Sequence, residues 1–258
     1  MNLPSKRVGW IVDAQNDFMR PPEQGGRLYV HNLFDGGQDP GAVQITPALV
    51  RATEWMRTHC DALVYTGDWH DVSDAEIDLV APDAAKGTYP PHCMGLSADA
   101  HEREGAEIIA EIRPANPLIL HRDASDTDAT GVARRAVSER RPVFLHKSRF
   151  SVFEGNPAAD TFVRALREQL GGTIEIYVIG VARDVCVKGA VEGCLRRNGH
   201  PCHGRDGRDL GSGARRRERK LRPVAQGWCG TGHHPRPLCA YLVGVPGPRG
   251  GACEDLSV

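Results

Sequence analysis

The stretch from Ile174 to Arg197, IEIYVIGVARDVCVKGAVEGCLRR, constrains the fold more than any other part of the chain. Ile174, Ile176, Val178 and Ile179 form a β-branched run of the kind found in parallel strands covered on both faces. Gly180 breaks the run where the backbone must turn, and an amphipathic helix follows at once with Cys186 in its first turn. Unpaired N–H groups and the positive dipole end at a helix start stabilise an anion, so a thiol there tends towards the nucleophilic thiolate. Cys186 therefore reads as the nucleophile of a hydrolase, and the rest of the chain must supply a base, a cation and a group that orients the electrophile.

The same strand-to-helix pattern recurs upstream. Arg7 to Asp13, RVGWIVD, is a short apolar run that delivers an acid at its carboxyl end, where open α/β sheets bind ligands. Ile45 to His59 carries apolar residues near helical spacing, with Thr46 as cap and Pro47 in the first turn. Ala62 to Thr66 is a second strand ending in GDWH, and Asp71 to Asp99 reads as a long functional loop. Pro117 to His121 and Pro142 to His146 are further strands flanking a helix from Thr130 to Glu139, which brings Lys147 to the same edge as Asp13 and Asp68. Asn156 and Pro157 open a helix that runs to Leu170 and closes at Gly171-Gly172. Strands alternating with helices predict an α/β fold with a doubly wound, mostly parallel sheet and helices on both faces.

A chain of 258 residues, 40% hydrophobic, holds one substantial core and is read as one domain over 1–197. A net charge of -1 gives no reason to expect nucleic acid as a partner. No apolar run approaches a membrane span, and the first ten residues have no signal-peptide core, so no membrane partner and a cytoplasmic location are expected. Eight cysteines without small-scaffold spacing are assigned no disulfides. A homo-oligomer is left open.

Residues 198–258 change character: Ile and Phe disappear while Gly, Pro and Arg crowd together, and no strand-like alternation follows where the next strand is due. A solvated basic tail and a reading frame that slips near Asn198 both account for this irregular segment. Within it, Cys229, His233, His234 and Cys239 have zinc-like spacing read as chance, and Arg215 to Lys220 is read as a solvated basic run.

The motifs VDAQNDFM, TGDWH, YPPHCMG, LHKSRFSVFEGN and VIGVARDVCVKGAVEGCL together resemble the isochorismatase-like cysteine hydrolases, and among them the nicotinamidases, over about Arg7 to Arg197. The resemblance implies a catalytic triad of Asp13, Lys147 and Cys186. It implies a cis peptide at Val181-Ala182 and an oxyanion hole from the backbone N–H groups of Ala182 and Cys186. It also implies a divalent metal on Asp68, His70 and His92. Nicotinamidases usually carry another histidine six residues after the first metal histidine, and Glu76 stands there in this chain. Asp68, His70, Glu76 and His92 remain a sensible donor set for zinc, iron or manganese.

The expected chemistry is hydrolysis of a C–N amide bond in a small carboxamide such as nicotinamide, through a Cys186 thioester, with Asp13 moving the protons and Lys147 lowering the thiol pKa by proximity. The alternatives are an isochorismatase-type enol ether hydrolase and a catalytically impaired relative lacking its last strand. Trp69 and Phe18 are candidates to pack on a planar substrate ring, Cys194 reads as packing, and Asp17 and Asp184 read as helix or loop caps.

Overall fold

The computed structural model describes residues 5–31, 38–197 and 243–245. Five strands, β1 (Lys6–Val12), β2 (Ala62–Asp68), β3 (Leu118–Leu120), β4 (Val143–Lys147) and β5 (Ile174–Gly180), pair in parallel in the order β3-β4-β2-β1-β5. The helices are α1 (Asn16–Met19), α2 (Thr46–His59), α3 (Ala100–Ala106), α4 (Asp126–Ser138), α5 (Val152–Gly155), α6 (Ala159–Leu170) and α7 (Lys188–Arg197). The α/β architecture is the one expected from the sequence.

Alternation along the strands divides the core into two layers. Val8, Trp10 and Val12 of β1 face one layer with Val143 and Leu145 of β4, Ile176 and Val178 of β5, and the apolar sides of α4, α6 and α7, including Cys194. Ile11, Tyr65, Phe144 and Ile179 face the other layer against α1, α2 and the 105–112 segment. Gly9 leaves room for α2: a Cβ there would stand 2.9 Å from the Met56 sulfur.

Three local expectations are corrected. Thr46 does not cap α2, because a 3-10 turn over Ala42–Ile45 feeds straight into the helix and makes Ile45 its N-cap. Helix α4 begins at Asp126, since Ser125 and Asp128 close a capping box ahead of the apolar positions. Beyond Arg197 the expected irregularity is broken by β6 (Val243–Val245), which pairs antiparallel with β5 at Ile176–Val178. Cys229, His233, His234, Cys239 and the Arg215 to Lys220 run lie outside the described residues. Among the described residues, no helix is long and apolar enough to cross a membrane, and Cys60, Cys93, Cys186 and Cys194 are free thiols.

Candidate active site

The carboxyl ends of β1, β2, β4 and β5 stand side by side, so the residues at those ends converge although they are far apart in sequence. Asp68 and Lys147 are register partners at the ends of β2 and β4. Asp13 follows β1 with φ +50°, a left-handed conformation that Asp tolerates better than most residues. Its N–H donates to the Thr66 carbonyl at 3.1 Å, and the Thr66 hydroxyl donates to Asp13 Oδ1 at 2.9 Å. At the end of β5, Gly180 has φ +132°, and a Cβ there would sit 2.0 Å from the Val12 carbonyl oxygen. The Val181-Ala182 peptide is cis, as the resemblance implies. A five-residue π turn, Arg183–Val187, then carries Cys186, so the cysteine precedes α7 instead of occupying its first turn.

The structure brings Asp13, Lys147 and Cys186 together in a buried group. Lys147 Nζ lies 2.9 Å from Asp13 Oδ2 and 3.9 Å from Cys186 Sγ, and it donates to Asp68 Oδ1. Burial alone would lower the Lys147 pKa, but the charges of Asp13 and Asp68 hold it well above its usual value. Asp13 is raised by burial, with Lys147 opposing. Lys147 acts on the Cys186 thiol with the expected sign, against a larger effect of burial. Burial is the largest influence and pushes the Cys186 thiol well up; the Lys147 charge lowers it, and the charges of Asp13 and Asp68 add to the rise. With one ammonium against two carboxylates around it, a thiolate at Cys186 would add a third negative charge to the buried group.

Val185 and Val187 both donate their N–H groups to the Ala182 carbonyl.

Beside this group, Asp68, His70 and His92 place ligand atoms within 4.8 Å of one another, all buried. His70 Nδ1 pairs with Asp74 Oδ2 at 3.0 Å, which leaves a buried Nε2 with no partner 4.0 Å from Asp68 Oδ1. His92 Nδ1 donates to the Pro90 carbonyl at 2.8 Å. Burial lowers the pKa of both rings, that of His70 to about 4, so both are neutral with a nitrogen lone pair to offer. One carboxylate and two imidazoles fit zinc, iron or manganese, and the orphaned Nε2 is the atom such an ion would satisfy. Glu76 is buried next to this set, its carboxyl raised to about 7 by burial and then by the Asp68 charge, but it is not among the three converging donors.

Several positioning contacts escape sequence reading. Gln15 donates to the carbonyls of Asp68 and Ala106, each at 2.7 Å, and accepts the Asp68 N–H at 2.8 Å. Asn156 donates to the carbonyls of His146, at 2.8 Å, and His121, at 3.0 Å, tying together the ends of β4 and β3. Asp17 acts as the loop cap expected of it, accepting the N–H of Cys93 at 2.6 Å and of Arg27 at 3.2 Å, which fixes the return of His92. Asp184 is exposed. Trp69 is committed to protein: it stacks on His146 with ring centroids 3.9 Å apart, and a Cβ on Gly95 would meet its ring at 2.2 Å. Phe18 is a core residue whose ring lies 5.5 Å from that of His92.

No protein-family model and no curated protein matches the chain. Solved structures do. A nicotinamidase/pyrazinamidase from Bacillus subtilis is 21% identical, with a TM-score of 0.45 over 74% of this chain and 80% of that one. A pyrazinamidase from Pyrococcus horikoshii in complex with zinc is 20% identical, with a TM-score of 0.46 over 74% and 79%. An isochorismatase-like hydrolase from Alkaliphilus metalliredigens is 19% identical, with a TM-score of 0.47 over 74% and 76%. The structure neighbours thus carry the name of the group whose motifs the sequence resembles.

Proposed function

We propose that this chain is a cysteine amidohydrolase of the isochorismatase-like kind that cleaves the C–N bond of a small, planar carboxamide such as nicotinamide and releases ammonia. One observation carries the reading: Lys147 Nζ bridges Asp13, at 2.9 Å, and Cys186, at 3.9 Å, inside a buried site at the carboxyl edge of the sheet. A buried lysine between a carboxylate and a thiol has little structural value, since ion pairs out of water are costly to assemble.

Asp13 is the proton carrier, its raised pKa making it a stronger base than an exposed carboxylate. It takes the Cys186 proton as Sγ attacks the substrate carbonyl carbon. The negative charge on the carbonyl oxygen is received by the backbone N–H groups of Ala182 and Cys186. Asp13 then passes its proton to the amide nitrogen, the C–N bond breaks, ammonia leaves and a thioester remains. Water attacks the thioester while Asp13 takes its proton and returns it to Sγ, which frees the carboxylic acid. Lys147 keeps Asp13 ionised between these transfers and offsets the charge of the departing thiolate. Asp68, His70 and His92 would hold a divalent cation. When bound, that cation supplies a Lewis acid that anchors a ring nitrogen or carboxyl group of the substrate.

Ammonia release from a panel of carboxamides tests the reading. Turnover of at least one planar carboxamide is expected, with a loss of about 10³-fold or more in Cys186→Ala. Turnover that survives in Cys186→Ala would overturn it.

A further inference from the structure

We infer that the Asp74–Arg122 pair positions His70 as a metal ligand, by fixing which ring nitrogen carries the proton and which faces Asp68 and His92. The inference rests on the metal reading of those three residues and extends it to two residues outside the cluster.

Asp74 Oδ2 lies 3.0 Å from His70 Nδ1 and also accepts the Asp71 N–H at 3.0 Å. A carboxylate oxygen can only accept, so the Nδ1 of a neutral His70 must carry the hydrogen. Nε2 then carries the lone pair, and it is this nitrogen that lies buried, unpartnered and 4.0 Å from Asp68 Oδ1. Asp74 is itself fixed. Arg122, from the loop between β3 and α4, donates one nitrogen to Asp74 Oδ2 and reaches the Trp69 carbonyl at 3.2 Å from the same nitrogen. The guanidinium thus joins the Asp74 side chain to the backbone immediately before His70. With these partners gone, an imidazole free of strong contacts on Nδ1 exchanges between two tautomers, and in one of them the nitrogen facing Asp68 is a hydrogen-bond donor that cannot bind a cation. Carboxylates that accept a hydrogen bond from a metal-ligating histidine raise its basicity and fix its ring, and their loss costs about 10- to 100-fold in metal affinity.

Two measurements test this. Histidine ring 15N spectra of the metal-free protein should show His70 with its proton on Nδ1 in the wild type and in Asp74→Asn, whose amide oxygen still accepts. A mixture of tautomers is expected in Asp74→Ala. Titration of the metal-free protein with Co²⁺ should give affinity weakened about 10- to 100-fold in Asp74→Ala, less in Asp74→Asn and in Arg122→Ala, with an altered Co²⁺ absorption spectrum in the alanine variant. His92→Ala, which removes a ligand outright, serves as the reference for loss of the centre. A pure Nδ1 proton in Asp74→Ala together with unchanged Co²⁺ affinity would overturn the inference. Co²⁺ binding that His92→Ala leaves intact would overturn the metal reading instead, and the tautomer of His70, read without metal, then decides on Asp74 alone. If Asp74→Ala does not fold, Asp74→Leu, which also lacks an acceptor and leaves less of a void, carries the same comparison.

Discussion

Burial sets the protonation of single side chains here, and two of them respond to pH with opposite signs. His146 stacks on Trp69 with both ring nitrogens unpartnered, and burial, helped by nearby His121, lowers its pKa to about 3. The unfolded chain takes up a proton at this ring near pH 6.5 while the folded chain does not, so stability falls as pH drops from about 6.5 to about 3. His146→Phe keeps the stack and removes the proton site. Its urea midpoint should fall less than the wild type's across that window, by up to about 4 kcal/mol at its acid end. Glu76 works the other way. Its carboxyl is raised from 4.5 to about 7, so the folded state holds the proton more tightly, and the stability this brings below pH 4.5 is lost as pH rises through 7. In metal-free protein, Glu76→Gln should flatten that rise-dependent loss by about 3 kcal/mol, and an unchanged profile would refute the assignment.

At the scale of elements, the junction of β1 and β5 is the tightest point of the site. Gly180 pairs with Val12, and the Val181 N–H returns to the Val12 carbonyl at 3.0 Å. Gly180→Ala would press a methyl onto that carbonyl at a φ of +132° and should destabilise by about 3 kcal/mol or more, measurable by urea unfolding. A cost below about 1 kcal/mol would mean that the junction relaxes. The strands themselves were legible because β-branched runs end abruptly in Asp13, Asp68, Lys147 and Gly180, a change of residue type that marks the edge of a buried sheet. Helix α4 had its start written in Ser125 and Asp128, a capping-box signal that apolar periodicity alone passes over. Helix α3, with sequence AHEREGA, has no apolar stripe to reveal it and is held by Asp99 as its cap. The net shift of the thiol was not legible for a different reason: helix position and Lys147 are visible in a sequence, whereas the depth of burial and the second carboxylate at Asp68 are properties of the assembled sheet. Gln15 was invisible on the same ground, since its partners lie 53 and 91 residues away.

For the molecule as a whole, Asp68, His70 and His92 tie the end of β2 to the long loop that follows it. A cation bound only by the folded form adds RT ln(1 + [L]/Kd), about 2.7 kcal/mol when free metal stands at 100 times Kd. For a domain of this size, that is on the order of 5–10 °C in Tm. Thermal unfolding with Zn²⁺ and then with excess chelator should show a difference of this order in the wild type and none in His92→Ala. Equal Tm values with and without metal in the wild type would count against the centre.

Asp68 answers to two masters: its Oδ1 contacts Lys147, which also meets Asp13 and Cys186, and lies 4.0 Å from His70 Nε2 of the proposed cation set. A substitution there disturbs the proposed nucleophile and the proposed cation site together, so the position has nowhere to drift. Diversification of such a scaffold towards other ions or substrates must then run through neighbours that serve one side alone, such as Asp74, which holds His70 without touching Lys147.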